Sequence, residues 1–543
     1  MALSTIKLKK WSEFTDSDVF SEQFLKEVLP GYLQTCRWFG AKNSAIRRYN
    51  AELIIPLSYG QHLYYLIVLE ITFESAYTEN YLLVLGQNED QGIPQNARLA
   101  ELHIGTSKKM LIDALYDERF REFLFVNTLA ETVFPHPEGS LDFTKGRILA
   151  DWNKNNKVTS RVLNAEQSNT TIVFNDNYYL KIYRKLFRDA NPDYELTYFL
   201  SEKTKFTNSP RFAGSITWKR GVSYEVTIAL MQEKVENKGD AWTYMLDEVK
   251  QFYRRLEDSK IPVRQLDEIK LYNTLKSNDL SNRMTELVGE QTVRNIQKLA
   301  LRTAQMHLAL FKDKFTRRFV PKAFNTDYKA WLLNRMIYHV DHRCNLLENN
   351  MHKLSGEALE YAKQFLLLKP RIKDRILNFH SSELYSMRVR IHGDYHLGQV
   401  ILTEDDFYIL DFEGEPEATI RDRKVKQPPM KDVAGMLRSF QYAIYANIFS
   451  PDNNISLSKK DQFLAGERYY AVIVGLFLSK YIDTAFDEGL DIGYKHEIDF
   501  LLRYHLLEKA IYEMGYELNS RPDWVIIPLK GVLDLINDNQ HGK

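Results

Sequence analysis

The strongest constraint on the fold is a series of three short apolar runs that each end at a polar residue. The runs are Val389–Ile391, Val400–Leu402 and Phe407–Leu410, and their β-branched and aromatic residues predict strands. A His-Gly-Asp triplet ending at Asp394 follows the first run, and Asp411 follows the third. We therefore predict a strand–loop–strand–turn–strand unit with one carboxylate on the loop and another at a strand end.

Three polar residues of this unit, Asp394, Gln399 and Asp411, match the needs of phosphoryl transfer. That reaction uses one carboxylate to accept a hydroxyl proton, and carboxylate and amide oxygens to bind Mg²⁺. The simpler alternative is a surface hairpin with an ordinary aspartate and glutamine. The short interval between Asp394 and Gln399, with Asp411-Phe-Glu-Gly414 behind it, favours a phosphotransferase site.

Composition argues against several kinds of partner. Lys and Arg total 72, as do Asp and Glu, so the formal charge is zero and no overall basic excess points to nucleic acid. The two cysteines, Cys36 and Cys344, form neither a disulfide framework nor a zinc pattern, which fits a reducing compartment. We expect no nucleic-acid partner.

The N-terminal residues lack the apolar core of a signal peptide. The longest plain apolar run, about Tyr469–Leu478, is too short to span a bilayer. We therefore expect a cytoplasmic protein with no membrane partner. A length of 543 residues exceeds what one core usually holds and indicates several domain-sized units.

The first part of the chain, residues 1–95, combines a helix with a meander. Apolar spacing predicts a helix over Phe20–Leu29, which Pro30-Gly31 would end. The predicted strands are Leu53–Leu57, Leu63–Phe73 and Tyr81–Leu85. A further helix is predicted over residues 107–130, because its apolar residues repeat at intervals of three and four.

A hairpin in the next part carries candidate nucleotide-binding residues. Its tip holds Ser168, Asn169 and Thr170, whose backbone N–H groups and hydroxyls suit phosphates, although the glycine of most phosphate loops is absent. Lys181 lies in an apolar strand and Glu195 in a later helix, the pairing by which kinases aim an ammonium at nucleotide phosphates. The alternative is a solvated strand lysine and an unrelated glutamate.

A strand ending at Met231 leads into an extended connector. By position, backbone groups near Gln232 and Val235 would bond the edge of an adenine. We assign residues 96–235 to an intermediate N-lobe subdomain and residues 236–543 to a mainly helical C-lobe.

The C-terminal half is mostly helical. Helices are predicted over residues 243–257, 293–312, 327–350, 356–379, 432–444, 461–486 and 496–518. We interpret His307 as a core histidine with satisfied hydrogen bonds, and Asp432 as the cap of its own helix. Arg438 either is solvated or braces the Asp394 loop.

The last long helix carries Lys509, Tyr512, Glu513 and Tyr516 on one face. Such a stripe suits a sugar, because aromatic faces pack on C–H surfaces while charged groups bond hydroxyls. Two leucines continue the same face, so a purely structural stripe is the alternative.

Taken together, these residues resemble those of bacterial maltokinases, distant relatives of aminoglycoside phosphotransferases and protein kinases. The most specific stretches run from Gly414-Glu-Pro416 into the Asp432 helix, and along the last long helix, whereas His392-Gly-Asp394 is shared by many phosphotransferases. The stretches that carry the resemblance are Glu166–Thr170, Asn191–Glu195, Gly239–Trp242, Arg390–Gln399, Asp411–Pro416, Lys431–Tyr442, Leu507–Glu513 and Tyr516–Trp524.

The resemblance implies an α+β, bilobal protein-kinase-like fold with an N-terminal cap subdomain. It implies ATP-dependent, Mg²⁺-dependent phosphorylation of maltose at its anomeric hydroxyl, for α-glucan synthesis. The implied roles are these: Asp394 as base; Gln399, Asp411 and, more weakly, Glu413 as metal ligands; Lys181, Glu195 and Ser168–Thr170 at the phosphates; Lys509, Tyr512, Tyr516 and Arg438 at the sugar.

Two positions bear on how close the resemblance is. Maltokinases share Gln399 where more distant relatives carry asparagine, whereas Gln441 stands where the family often has aspartate. Many family members are fused to a trehalose synthase, so a separate trehalose synthase is a candidate partner. The rival functions are a kinase of the same fold acting on another sugar such as glucosamine, and a non-catalytic partner of a trehalose synthase.

Overall fold

The computed structural model describes residues 3–89, 92–153, 156–163, 168–221, 224–381 and 383–537, without the side chains of 379–381 and 537. Two compact units are present. The first comprises Met1–Lys203 and Pro210–Val235, and the second comprises Thr204–Ser209 and Glu236–Lys543. Glu166 and Gln167, at the start of one stretch that resembles maltokinases, lie outside the described residues.

The described strands of the first unit form two sheets. They are β1 (Thr5–Leu8), β2 (Ile46–Tyr59), β3 (His62–Phe73), β4 (Thr78–Asn88), β5 (Arg98–Ile104), β6 (Ser107–Asp113), β7 (Val133–His136), β8 (Gly139–Lys145), β9 (Ser160–Val162), β10 (Asn169–Phe174), β11 (Tyr178–Tyr183), β12 (Lys185–Leu186), β13 (Phe212–Arg220) and β14 (Tyr224–Glu233). The first sheet has the order β1-β5-β6-β4-β3-β2, with β12 on β4. The second has the order β7-β8-β13-β14-β11-β10-β9.

Both faces of the first sheet are buried, as alternation along β3 shows. Tyr64, Leu66 and Val68 pack into a core shared with the second sheet. Tyr65 and Ile67, which point the other way, pack under the N-terminal helices. Successive side chains of a strand point to opposite faces, so two-sided burial explains why β3 is an almost uninterrupted apolar run.

The helices of the first unit flank these sheets. They are a π-type helical segment (Val19–Val28), α1 (Leu29–Thr35), α2 (Glu118–Ala130), α3 (Pro192–Lys203) and short 3₁₀ turns at Trp11–Glu13, Gln95–Ala97, Ala114–Tyr116 and Arg147–Leu149. The prediction that Pro30-Gly31 ends the first helix is wrong. Pro30 lies in the first turn of α1, where a missing N–H costs little.

The predicted helix over residues 107–130 is wrong in its first third. Residues 107–113 form β6, which pairs with β4 and β5 and buries Leu111 and Ile112. Ladder pairing therefore overrides a local spacing that also fits a helix. The first sheet extends beyond residue 95, because β5 and β6 belong to it. The three-part division 1–95, 96–235 and 236–543 stays a prediction.

The second unit is mainly helical. Its helices are α4 (Ala241–Ser259), α5 (Asn282–Val288), α6 (Glu290–Phe311), α7 (Thr326–Asn350), α8 (Gly356–Leu367), α9 (Lys369–Ser381), α10 (Met430–Phe449), α11 (Lys459–Glu488), α12 (Lys495–Ser520) and α13 (Ile526–Asn537). Its strands are β15 (Lys322–Ala323), β16 (Met387–Arg388), β17 (Val400–Leu402) and β18 (Phe407–Ile409). Short 3₁₀ turns lie at Val263–Gln265, Ser277–Asp279, Met351–Lys353, Leu397–Gln399, Asp422–Lys424 and Pro522–Val525.

Two predicted elements of this unit need correction. The helix over 356–379 is two helices, divided at Leu368 just before Lys369-Pro370. The run Val389–Ile391 is not a regular strand, because β16 ends at Arg388 and only Val389 forms a bridge, to Gln427. None of the described helices combines the length and the apolar character that a membrane-spanning segment needs.

Candidate active site

A buried carboxylate, Asp432, holds the loop that carries the candidate base. The N–H groups of His392 and Gly393 donate to its Oδ2 and Oδ1 over 2.8 and 2.9 Å. His307 Nε2 lies 3.0 Å from Oδ2. Burial raises the pKa of Asp432, but these hydrogen bonds, led by that from His307, outweigh it and lower the pKa. The expected role as a cap of its own helix is replaced by one that joins α10 to the loop.

His307 is the satisfied core histidine that the sequence predicts. It is fully buried, with Nδ1 2.8 Å from the Tyr481 hydroxyl and Nε2 at Asp432. Gly435 allows α10 to approach the loop closely, because a Cβ at that position would lie 2.6 Å from the Tyr395 carbonyl oxygen. Gly393 adopts φ +87°, a left-handed conformation that favours glycine.

Asp394 forms an ion pair with Lys509 of α12. Lys509 Nζ donates to Asp394 Oδ1 over 2.9 Å, and each side chain is 19% exposed. Burial raises the pKa of Asp394, but the charges of Lys509 and His396 outweigh it and lower the pKa to about 2. Burial lowers the pKa of Lys509, while Asp394 raises it well above its usual range. Asp394 is therefore ionised at neutral pH with Lys509 as its counter-ion, and its role as the base stays a prediction.

Gln399 and Asp411, the two predicted metal ligands, lie side by side, and their binding of a metal stays a prediction. Gln399 ends a 3₁₀ turn and its Nε2 donates to Asp411 Oδ2 over 3.1 Å. The backbone is also tied, because Leu410 N donates to the Gln399 carbonyl over 2.9 Å. Asp411 has φ +60°, which is uncommon for aspartate and occurs often at functional sites. An amide and a carboxylate offer the hard oxygen ligands that Mg²⁺ prefers.

The Arg423 guanidinium interacts electrostatically with several of these carboxylates. Burial lowers the pKa of Arg423, against the charges of Glu413, Asp394, Asp411 and Glu415, which raise it. Its Nη1 also donates to the Glu413 carbonyl over 3.5 Å. Asp394, Asp411 and Glu413 therefore all lie within electrostatic range of the Arg423 guanidinium.

A cavity of about 10 Å³, room for roughly one water, lies beside Asp394. Its charged lining includes Lys509, Glu415, Lys431 and Glu508. Arg335 Nη2 donates to Glu415 over 2.9 Å. Lys431 Nζ lies 3.6 Å from Glu508 Oε1 and 3.9 Å from Glu415 Oε1, so it is near both without a direct hydrogen bond.

Sequence analysis missed the cavity residues Glu415, Lys431 and Glu508. The signal available was their position inside the stretches that resemble maltokinases. Glu508 Oε2 lies 2.8 Å from His505 Nδ1. Burial raises the pKa of Glu508, but Lys431 and His505 outweigh it and lower the pKa. The carboxylates Asp394, Glu415 and Glu508 of this cavity are thus each next to a hydrogen-bonding or charged partner.

Arg438 is buried, so the solvated alternative is wrong. It is 1% exposed and its Nε donates to Glu513 Oε2 over 3.0 Å. It also donates to Gln441, the position at which the family often has aspartate. Glu513 in turn contributes to the raised pKa of Lys509. Arg438 is therefore connected to the Asp394 loop through Glu513 and Lys509 of α12. Its direct contact with a sugar stays a prediction.

The two tyrosines of the predicted sugar stripe differ in environment. The Lys509 ammonium lies 5.3 Å from the centre of the Tyr512 ring, within cation–π range. Tyr516 is 57% exposed, with the Arg521 guanidinium 5.7 Å from its ring centre. Only Tyr512 is thus joined to the Asp394–Lys509 pair, and both sugar-binding assignments stay predictions.

In the first unit, Lys181 contacts Asp193, a residue that sequence analysis did not select. Lys181 Nζ donates to Asp193 Oδ2 over 3.3 Å, and the Tyr183 hydroxyl donates to the same oxygen over 3.1 Å. Glu195 lies buried two residues further along α3, and its pairing with Lys181 stays a prediction. The signal for Asp193 was its place in the helix start just after Asn191-Pro192.

The remaining nucleotide candidates occupy the ends of strands. Ser168 is exposed, Asn169 begins β10, and Thr170 is buried with its hydroxyl accepting from Arg184. Gln232 lies in β14, and its side-chain amide donates to Thr197 over 2.9 Å. Val235 ends the first unit. Their contacts to a nucleotide stay predictions.

Acidification tests the Asp394–Lys509 pair. The folded pKa of Asp394 is below its unfolded value, so the pair stabilises above pH 4 and this contribution is lost as the pH falls towards 2. We expect the wild type to lose about 2 kcal/mol more between pH 5 and pH 2 than Asp394→Asn/Lys509→Met. Denaturant unfolding across this range measures the difference, and parallel curves would contradict the pair.

Similarity to known proteins agrees with this architecture. No protein-family model matches the chain. The structure superposes on glucosamine kinase in complex with glucosamine, ADP and inorganic phosphate, with TM-score 0.62 and 18% identity over 93% of this chain and 96% of that one. A second crystal form of glucosamine kinase gives TM-score 0.61 and 18% identity over 92% and 95%. The chain has an α+β, protein-kinase-like fold.

The sequence is also similar to glucosamine kinases over part of its length. It is 23% identical over 331 residues to that of Streptacidiphilus jiangxiensis, covering 61% of this chain and 62% of the relative. It is 27% identical over 139 residues to that of Mycolicibacterium smegmatis, covering 25% and 32%. The matches thus span less than two thirds of either relative.

Proposed function

We propose that the protein is an ATP-dependent sugar kinase. The observation that carries this proposal is the Asp394 loop, an ionised carboxylate held by a buried aspartate and placed in one charge cluster with Asp411. An ordinary surface hairpin would need neither the buried Asp432 that accepts from its backbone nor the hydrogen-bonded His307 next to that aspartate. The likeness of the fold to glucosamine kinase, a sugar phosphotransferase by name, supports the proposal.

In the proposed reaction, Asp394 accepts the proton of a sugar hydroxyl as its oxygen attacks the γ-phosphorus of ATP. Lys509 orients Asp394 and moves from it to the sugar when the hydroxyl arrives. Gln399 and Asp411 would hold Mg²⁺, which supplies charge neutralisation at the phosphates when bound. Lys181, which forms an ion pair with Asp193, would add positive charge at the phosphates.

For the acceptor we propose maltose, phosphorylated at its anomeric oxygen. The proposal rests on the stretches that resemble maltokinases, above all Asp411–Pro416, Lys431–Tyr442 and Leu507–Glu513. The carboxylates that line the cavity, which include Asp432, outnumber the lysines Lys431 and Lys509, so charge alone does not select between a neutral and an amino sugar. The C1–O1 bond is not broken in this reaction, so the anomeric configuration is retained.

Glucosamine is the second candidate acceptor. It is favoured by the two relatives and the two solved structures reported above, each of which is named a glucosamine kinase. In the cavity, Glu508 Oε1 accepts no hydrogen bond from the described residues and lies 3.6 Å from Lys431 Nζ. Under this alternative, the amino group would donate to this oxygen.

A substrate panel separates these possibilities. ADP release is measured with ATP, Mg²⁺ and maltose, glucose or glucosamine, and we expect release that depends on maltose. Phosphorylation at O1 also removes the reducing end, so the reducing-sugar signal should fall in step with ADP release. Release only with glucosamine would move the assignment to that sugar. No release with any sugar would favour a non-catalytic partner of a trehalose synthase.

A further inference from the structure

A single buried arginine, Arg184, joins four distant segments of the first unit. It directly follows β11, the strand of Lys181, and is 0% exposed. Its Nε donates to Thr170 Oγ1 over 2.8 Å, its Nη1 to the Leu82 carbonyl over 3.4 Å, and its Nη2 to Asp113 Oδ2. The Leu82 N–H donates back to the Arg184 carbonyl over 2.7 Å.

The other end of this network lies near the N-terminus. Asp113, also fully buried, accepts from the Tyr32 hydroxyl of α1 over 3.1 Å and from Leu115 N over 3.2 Å. The Arg184 guanidinium lies 4.9 Å from the centre of the Trp38 ring, within cation–π range. No local sequence pattern connects Tyr32 and Trp38 with the hairpin at Thr170.

The network ends at the segment proposed to bind phosphates. Thr170 is 5% exposed, so its hydroxyl faces the interior, and it is the second residue of β10, just after exposed Ser168. A guanidinium buried without its partners costs several kcal/mol, so the network favours one position of Thr170 strongly. The backbone next to Thr170 is thereby fixed without any contact between Arg184 and a nucleotide.

We propose that Arg184 is a positioning residue for ATP, coupling the start of β10 to α1 and the first sheet through Thr170 and Asp113. This inference rests on the proposed kinase function. Because Arg184 acts on the nucleotide loop and not on the reacting atoms, its loss weakens ATP binding and leaves the rate at saturating ATP unchanged. The N-terminal segment then contributes to nucleotide affinity from a distance.

The first test removes the acceptor of the Arg184 bond without changing volume. Thr170→Val should raise the Kd for ATP about tenfold, the usual worth of a hydrogen bond to a charged group. Thr170→Ser, which keeps the hydroxyl, should restore affinity. The matched control is Thr217→Val, since Thr217 is 1% exposed in the same sheet and its hydroxyl has no hydrogen-bond partner among the described residues.

The second test distinguishes positioning from direct contact between Thr170 and the nucleotide. Tyr32→Phe deletes one donor to Asp113, at the far end of the network, and should raise the Kd for ATP roughly threefold. In the double variant with Thr170→Val, the two effects should be less than additive, because both act through Arg184. The kcat of Tyr32→Phe at saturating ATP should stay within about twofold of wild type, because a residue that acts only on ATP binding leaves the rate at saturation unchanged.

The possible results either support or overturn the positioning role of Arg184. If Thr170→Val binds ATP as tightly as Thr217→Val does, Arg184 does not position the loop. If Thr170→Val weakens binding while Tyr32→Phe has no effect, the Thr170 hydroxyl acts locally and the coupling to α1 is wrong. If wild-type protein binds no ATP, the proposed function fails first, and this inference fails with it. Unfolding midpoints of all variants show that each one is folded.

Discussion

Asp394→Asn is expected to reduce sugar-dependent ADP release by about 10²- to 10⁴-fold, the range associated with a general base. The amide keeps the shape of the carboxylate but cannot accept the hydroxyl proton. Binding of ATP should persist, because the residues proposed to bind the nucleotide belong to the first unit. ADP release and ATP affinity are measured on the same preparation.

Two controls separate chemistry from stability in this experiment. Asp452→Asn changes an exposed aspartate of the second unit and should leave turnover unchanged. Asp394→Asn also leaves Lys509 buried without its counter-ion, which costs stability. Asp394→Asn/Lys509→Met should recover that stability and remain inactive. Near-normal turnover in Asp394→Asn would remove Asp394 from the mechanism.

Asp432→Asn is expected to damage both stability and turnover. The carboxylate accepts from two backbone N–H groups and lies beside His307. An amide has only one oxygen, so it cannot accept all of these hydrogen bonds. We expect the free energy of unfolding to fall by about 3 kcal/mol, since buried donors lose a charged acceptor. Turnover should fall roughly 10²-fold, because small displacements of a base are costly.

The readouts for Asp432 are denaturant unfolding and kcat. Asp487→Asn on α11 is the matched control, because Asp487 is exposed and on a helix of the same unit. If Asp432→Asn resembles Asp487→Asn in both measurements, Asp432 only caps α10 and the Asp394 loop does not depend on it.

The sequence alone selected the candidate site residues Asp394, Gln399 and Asp411 because the pattern that carries them is local. The apolar run Phe407–Leu410 predicts a strand directly before Asp411, and β18 lies there, whereas the run before Asp394 forms only a bridge at Val389. Gln399 could be paired with Asp411 for the same reason, since both flank one hairpin. His307 was also predicted correctly, because a histidine on an apolar helix face needs internal partners.

Where local patterns were ambiguous, pairing between distant segments decided the outcome. Residues 107–113 fit a helix by spacing but form β6, because β4 and β5 offer ladder partners on both sides. Pro30-Gly31 looked like a helix end, yet the chain continues as α1. In each case the local preference is worth less than the burial and hydrogen bonding that tertiary structure supplies.

The sequence by itself therefore determined the reaction class that we propose and the candidate residues Asp394, Gln399 and Asp411. The tertiary structure decided what restrains them: Lys509 lies 115 residues from Asp394 in the chain and 2.9 Å from it in space. Asp432 and Arg184 likewise gain their roles from segments far away in sequence. A charged side chain can be buried only when folding brings partners to it from elsewhere in the chain. No local sequence pattern specifies which residues those partners are.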